Sequence, residues 1–171
     1  LSHATRLGAS EQRELSTLRD EFYARLQLAF EYCERQVEAG RLRGYGVSSN
    51  TSTASPDEPG ATSVSRMIEA AKAAAKNVGA AAHHFTVLQC PMNVHESGAA
   101  LIKNTGPDNG STLLDEALRE GVAVLVNRPL NAMPAQRGGV VRLADVPVPA
   151  PERPFARSAS MPPRPIALTA S

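Results

Sequence analysis

Hydroxyl and amide side chains gather at three places where apolar runs end: Ser48, Ser49 and Asn50 in GYGVSSN, Gln89 and Asn93 in VLQCPMN, and Asn127 and Arg128 in VLVNRPL. Apart from the guanidinium of Arg128, these groups donate and accept hydrogen bonds without carrying charge. That chemistry suits holding a planar amide or a phosphate in a fixed orientation. No carboxylate pair and no histidine pair stands with them, so they point to a binding surface rather than a proton-transfer centre. Taken singly, serine and asparagine at such places simply terminate strands and begin turns. Three runs ending alike favours a shared surface.

The other reactive residue types are weaker candidates. His83 and His84 stand where an apolar run begins, at the opposite end from the hydroxyls and amides, and read as solvent-edge residues. His95 has only Glu96 beside it at ligand spacing, which is too few donors for a metal site, so no metal is expected. Cys90 follows Gln89 and, by strand alternation, faces the opposite side, where core packing is the expected role. Cys33 and Cys90 lack the short spacing of a redox pair or a zinc site and read as free thiols.

The elements that must position these residues follow from periodicity. Ser10 can cap a helix whose apolar positions Leu15, Leu18, Phe22, Leu26, Ala29, Cys33 and Val37 advance by threes and fours, giving one buried stripe with the charged residues mostly off it. A short strand, Leu42 to about Ser49, follows; its Gly44 and Gly46 mark close approach by another backbone or by a ligand. Residues 50–63 are a loop by composition, either a cover for a ligand or an ordinary surface loop. An alanine-rich helix spans roughly Thr62 to Asn77, a strand His84 to Met92, a connection with a helical turn near Ala99 to Lys103 comes next, and a third helix spans Ser111 to Glu120, capped by Ser111 or Thr112. Val122 to Val126 is an uninterrupted apolar run, expected to be a strand covered on both faces.

Gly40, Gly79 and Gly121 sit between each helix and the strand after it, a period of about 40 residues that fits βα crossovers and parallel strands. In parallel α/β folds ligands bind at the carboxyl ends of the strands. The hydroxyl and amide clusters stand at those ends.

Composition sets the outer bounds. With 171 residues, 42% hydrophobic and 20% charged, the chain has material for one globular domain. Its 18 basic and 17 acidic residues are spread through the sequence for a net charge of +1, so no electrostatic footprint supports a nucleic-acid partner. No stretch is apolar over the roughly 18 residues a membrane span needs, and the start, LSHATRLGAS, lacks the regions of a signal peptide; a soluble, cytoplasmic protein without a membrane partner is expected. After Asp145 the character changes. Residues 146–171 hold seven of the 13 prolines, which divides the chain into a folded part, 1–145, and a disordered proline-rich tail, with a docking motif at MPPRP as the alternative.

The order of three motifs, EAGRLRGYGVSSN (Glu38 to Asn50), HFTVLQCPMNV (His84 to Val94) and REGVAVLVNRPL (Arg119 to Leu130), resembles the aldo-keto reductases, specifically the carboxyl-terminal half of their (β/α)8 barrel. The motifs look like the fifth, sixth and seventh strands with their lead-in helices, and FYARL at Phe22 to Leu26 also looks like a branch of that family. The resemblance covers roughly residues 10 to 145. It implies an α/β fold, a partial (β/α)8 TIM barrel with about three parallel strands and their helices.

What the resemblance implies for chemistry is an NADP-dependent oxidoreductase that reduces a small-molecule carbonyl by hydride transfer. In the family a Ser and Asn after the fifth strand and a Gln on the sixth hold the nicotinamide carboxamide. Here these correspond to Ser48, with Ser49 or Asn50 as its neighbour, and to Gln89; Asn127 and Arg128 stand at the seventh strand's end, where the family usually places an aromatic residue against the nicotinamide. The family's Asp, Tyr, Lys and His catalytic set belongs to strands that would precede Leu1, so none of it is in this sequence. The expectation is therefore a piece of a larger protein, supplying one wall of the nicotinamide pocket and inactive alone. The alternatives are a noncatalytic, truncated relative or regulatory module of the same fold, and an unrelated open α/β sheet, for which a G-x-G-x-x-G phosphate loop would speak and is absent. A barrel of this type needs about 250 residues, so three strands leave the inner sheet face and an edge uncovered.

Overall fold

The computed structural model describes residues 8–133 and 139–142. The expected boundary at 145/146 and the proline-rich tail lie outside the described residues.

The first helix, α1 (Ala9–Glu38), opens one residue before the expected cap. Gly8, not Ser10, occupies the capping position, and its N–H donates to Glu11 Oε2 at 2.7 Å. The stripe expected to be buried is only partly so: Leu18 is 55% and Phe22 43% exposed, and Ala29 is exposed. What α1 buries is an arc rotated from that stripe, through Tyr23, Phe30 and Glu34. The Phe30 ring packs against Phe85 at 5.4 Å and Tyr45 at 4.9 Å between centroids. A fully buried aromatic of this kind contributes roughly 1.5–3 kcal/mol.

Among the described residues the strands, in chain order, are β1 (Tyr45–Ser48), β2 (Phe85–Pro91), β3 (Lys103–Thr105), β4 (Ser111–Thr112), β5 (Ala123–Asn127), β6 (Asn131–Ala132) and β7 (Val141–Arg142). The helices α2 (Val64–Val78), α3 (Gly98–Leu101) and α4 (Leu113–Arg119) lie between them. β1, β2 and β5 form one parallel sheet in the order β1-β2-β5, so the three apolar runs are adjacent as expected, and α2 and α4 make the crossovers. The pairs β3/β4 and β6/β7 are short antiparallel ribbons. Neither was expected, because two- and three-residue strands leave no period to read.

α2 begins at Val64, two residues after the expected start, and its alanine face, Ala70, Ala71, Ala74 and Ala75, is buried with Met67 and Ile68. Small side chains there let α2 settle close to α1 and the sheet. Gly79 ends it at φ +80°, a left-handed conformation that costs other residues a Cβ clash. α4 is capped by Thr112, one of the two expected candidates, whose hydroxyl accepts from the Asp115 N–H at 3.2 Å.

Gly44 and Gly46 have the first of their two expected explanations. A Cβ on Gly46 would lie 2.3 Å from the Val87 carbonyl oxygen, and one on Gly44 would lie 2.7 Å from the Thr86 hydroxyl, so the close neighbour is β2 itself. The register slips between Tyr45 and Gly46 at that contact.

One face of the sheet carries the core: Val47, Leu88 and Val124 in one row, with Cys90, Tyr45 and Phe85, pack under the helices. The other face is open. Its two rows are Gly46–Val87–Ala123 and Ser48–Gln89–Leu125, and Gly46, Ser48, Ala123 and Leu125 are exposed. Covering of β5 on both faces is therefore corrected, with Leu125 55% exposed on the open face, because helices pack on one side only. The chain is a mixed α/β layer with a three-stranded parallel sheet, and the described strands do not close into a barrel.

Candidate functional site

Parallel pairing places Ser48 directly beside Gln89, and Gln89 beside Leu125, so the hydroxyl and the amide stand side by side on the open face at the carboxyl end of β1. Ser48 is exposed and Gln89 half-buried, and neither side chain hydrogen-bonds another described residue. With Gly46, Thr86 and Val87 they line a shallow depression of about 360 Å³. Glycine at 46 keeps that depression open, since it puts no side chain in the row below Ser48.

Ser49 belongs to a different surface. Its N–H donates to the Gln89 carbonyl at 2.9 Å, extending the sheet by one bond, and its hydroxyl shares hydrogen bonds with Thr62 at 2.9 Å and Thr51 at 3.4 Å. Alternation along β1 turns Ser49 toward the loop that follows, away from Ser48. That loop, residues 50–63, is anchored rather than loose. Arg19 Nη2 donates to the Glu58 carbonyl at 2.7 Å and the Pro56 carbonyl at 3.3 Å, and buried Asn104 donates to the Ser52 and Ala54 carbonyls, both at 2.8 Å.

Asn50 and Asn127 meet over the end of β2, where Asn127 Nδ2 donates to Asn50 Oδ1 at 3.4 Å. Asn127 Oδ1 is buried with no partner among the described residues. Arg128 is directed elsewhere: it has φ +56° and its Nη1 donates to Glu96 Oε1 at 3.0 Å. Glu96 also accepts from the Met133 N–H at 3.0 Å and from Asn93 Nδ2 at 2.8 Å. Burial opposes ionisation of Glu96, but these donors and the Arg128 charge outweigh it and hold its carboxyl below the usual range. Of the six residues expected at a site, then, Ser48 and Gln89 share the open face, Asn50 and Asn127 bridge the rim, and Ser49 and Arg128 brace loops.

The sequence also hid a polar cluster at the other end of the sheet. Glu34 is 1% exposed and accepts from the Tyr45 hydroxyl at 2.7 Å, the His84 N–H at 2.8 Å and His84 Nδ1 at 2.7 Å. His84, its side chain 40% exposed, thus stands at the solvent edge as expected but also reaches the buried Glu34 carboxylate, and His83 Nδ1 is buried beside it without a partner among the described residues. The only signal available in sequence was a glutamate beside an apolar stripe, since its partners lie 11 and 50 residues away.

Among the described residues no group of three or more His, Cys, Asp or Glu could hold a metal ion, and no helix is long and apolar enough to cross a membrane. Compared with known proteins, the chain matches no family model, no curated protein and no solved structure.

Proposed function

We propose that this chain forms one wall of a nicotinamide pocket in an NADP-linked oxidoreductase of the aldo-keto reductase type. The observation that carries the reading is the Ser48–Gln89 pair: a hydroxyl and a carboxamide, adjacent in register, open to the outside and free of other described partners. Between them they offer donors and acceptors on one surface, which is what an in-plane carboxamide requires. The fit is incomplete at Asn127, a small amide where an aromatic face would stack.

When bound, NADP supplies the hydride that reduces a carbonyl. The chain's own residues would orient the ring: Gln89 and Ser48 fix the carboxamide, and the Asn50–Asn127 bridge closes the rim beside it. Transfer to a carbonyl also needs a proton donor, and the described residues around Ser48 and Gln89 offer none, since Arg128 is paired with Glu96. That same observation favours a second reading, a noncatalytic module of similar fold that binds the cofactor without turning it over.

The test is NADPH fluorescence titration of the full chain beside a Gln89→Ala variant. Saturable binding that weakens about tenfold in the variant, the loss of roughly 1.4 kcal/mol expected for one or two hydrogen bonds, supports the reading. No binding by the wild-type chain, or equal binding by both, removes it. Turnover of an aldehyde by the chain alone would exclude the noncatalytic alternative.

A further inference from the structure

We propose that the pocket between α1, the start of α2 and Asn104 binds a phosphate group that keeps one hydrogen, either inorganic phosphate or a small phosphate monoester. Its walls include Arg19, Tyr23, Pro56, Thr62, Arg66 and Asn104, around a space of about 140 Å³. Two buried polar atoms of these wall residues are left over. Asn104 is 4% exposed, and its Nδ2 is spent on the Ser52 and Ala54 carbonyls, both at 2.8 Å, while its Oδ1 meets no donor among the described residues. Arg19 Nη2 is spent on the Pro56 and Glu58 carbonyls, and the buried Nε of Arg19 meets no acceptor among the described residues. Leaving a buried donor and a buried acceptor unpaired is costly. The pocket therefore asks for one group that accepts from Arg19 and donates to Asn104.

Charge narrows the choice. The walls hold two arginines and no carboxylate; Asp20 lies outside them, paired with Arg66 at 2.7 Å, and among the described residues no carboxylate pairs with Arg19. Tyr23 adds no negative charge, because burial raises its phenol above the usual range. A helix amino terminus favours acidic residues, yet the first turn of α2 has none and carries Arg66 instead. An anion in the pocket would face that end of the helix and both guanidinium groups.

Three kinds of occupant can be told apart by what they satisfy. A water answers the two orphaned atoms and leaves the charge. A carboxylate, including any brought by the chain's own undescribed residues, answers the charge but has no hydrogen for Asn104. A singly protonated phosphate does both: one oxygen accepts from Arg19 Nε, and its hydroxyl donates to Asn104 Oδ1. A space of about 140 Å³ suits one such group rather than a stretch of polypeptide. The inference does not rest on the nicotinamide reading, since Ser48 and Gln89 are not among these walls.

Heteronuclear NMR of the full chain tests it through the Arg19 Nε–H signal, identified by its absence in Arg19→Lys. The titrations are run at about pH 6, near the second pKa of a phosphate monoester, so that ester and free ion both carry the hydrogen. Sodium phosphate is expected to shift the signal saturably, and sodium sulfate, of the same shape but with no proton to donate, at least tenfold more weakly. Arg66→Gln, at a side chain 38% exposed, is expected to weaken phosphate binding about fivefold while leaving thermal unfolding little changed. Glycerol phosphate separates the two sources: tighter binding than inorganic phosphate assigns the site to a monoester, weaker binding to the free ion. No shift with either phosphate overturns the proposal and leaves the two atoms to water or to the undescribed residues. An equal response to sulfate also overturns it, because it marks an adventitious ion only.

Discussion

Glu34 and His84, fifty residues apart, are joined twice: the Glu34 carboxylate accepts the His84 backbone N–H at 2.8 Å and its ring Nδ1 at 2.7 Å. The Tyr45 hydroxyl donates to the same carboxylate, so one side chain on α1 ties down the first residues of β1 and the lead-in to β2. Burial and the neighbouring carboxylate together push the Tyr45 phenol well above its usual range, which keeps it a donor. Replacing Glu34 by Ala strands three half-buried donors, the Tyr45 hydroxyl and the backbone and ring N–H of His84, each at a cost of at most about 1–3 kcal/mol. The expected loss is about 3 kcal/mol in urea unfolding, with Glu34→Gln losing less because its amide oxygen still accepts.

Acid should weaken the fold through the same group. Burial raises the Glu34 pKa, but the His84 N–H, the Tyr45 hydroxyl and the His84 ring outweigh it, so its folded value is depressed. The unfolded chain then takes up a proton first as pH falls. Stability is fully present above the unfolded glutamate value, near 4.3, and is lost below it until the folded value is passed, with a slope of at most about 1.4 kcal/mol per pH unit for this group. Glu96 and Glu120 are shifted the same way and add to the acid limb. Urea melts between pH 3 and 7 should show a shallower acid limb in Glu34→Gln than in the wild-type chain.

Two glycines should respond differently to alanine. Gly46→Ala forces a Cβ to within 2.3 Å of the Val87 carbonyl and must displace β1 from β2, at a cost on the order of 2–3 kcal/mol. Gly40→Ala meets nothing within 4 Å and is penalised only for φ +71°, about 1 kcal/mol. Thermal melts of the two variants rank them.

The two thiols should label at different rates. Cys90 is fully buried and burial pushes its thiol pKa up, whereas Cys33 is half-buried, raised by burial and then by the Glu34 charge. Cys33 should react with a disulfide reagent at least about tenfold faster, leaving Cys90 to react only on opening of the core. Equal rates, read by peptide mass, would contradict the placement of Cys90 under the helices.

Much of the layer order was legible in the sequence. The alanine face of α2, the glycine endings at Gly40 and Gly79, and the apolar runs around Leu88 and Val124 each encode a local preference that survived packing. So did the opposite facing of Gln89 and Cys90, since strand alternation needs no partner to be defined. The stripe on α1 and the covering of β5 were misread because period shows which residues are apolar and not which of them find a neighbour. Leu18, Phe22 and Leu125 are apolar and still largely exposed, since the helices cover one sheet face and α1 buries the arc through Tyr23, Phe30 and Glu34 instead.

The site divides along the same line. Sequence alone determined that neutral donors and acceptors stand at three strand ends, because those residue types and their places relative to apolar runs are local facts. Only the tertiary structure decided which of them work together. Register sets Ser48 beside Gln89, while Ser49 and Arg128 are drawn to Thr62 and Glu96. A hydrogen-bonding group takes whatever partner packing brings within about 3 Å, and that partner is fixed by how strands and loops are brought together, not by the residue's own neighbours in the chain.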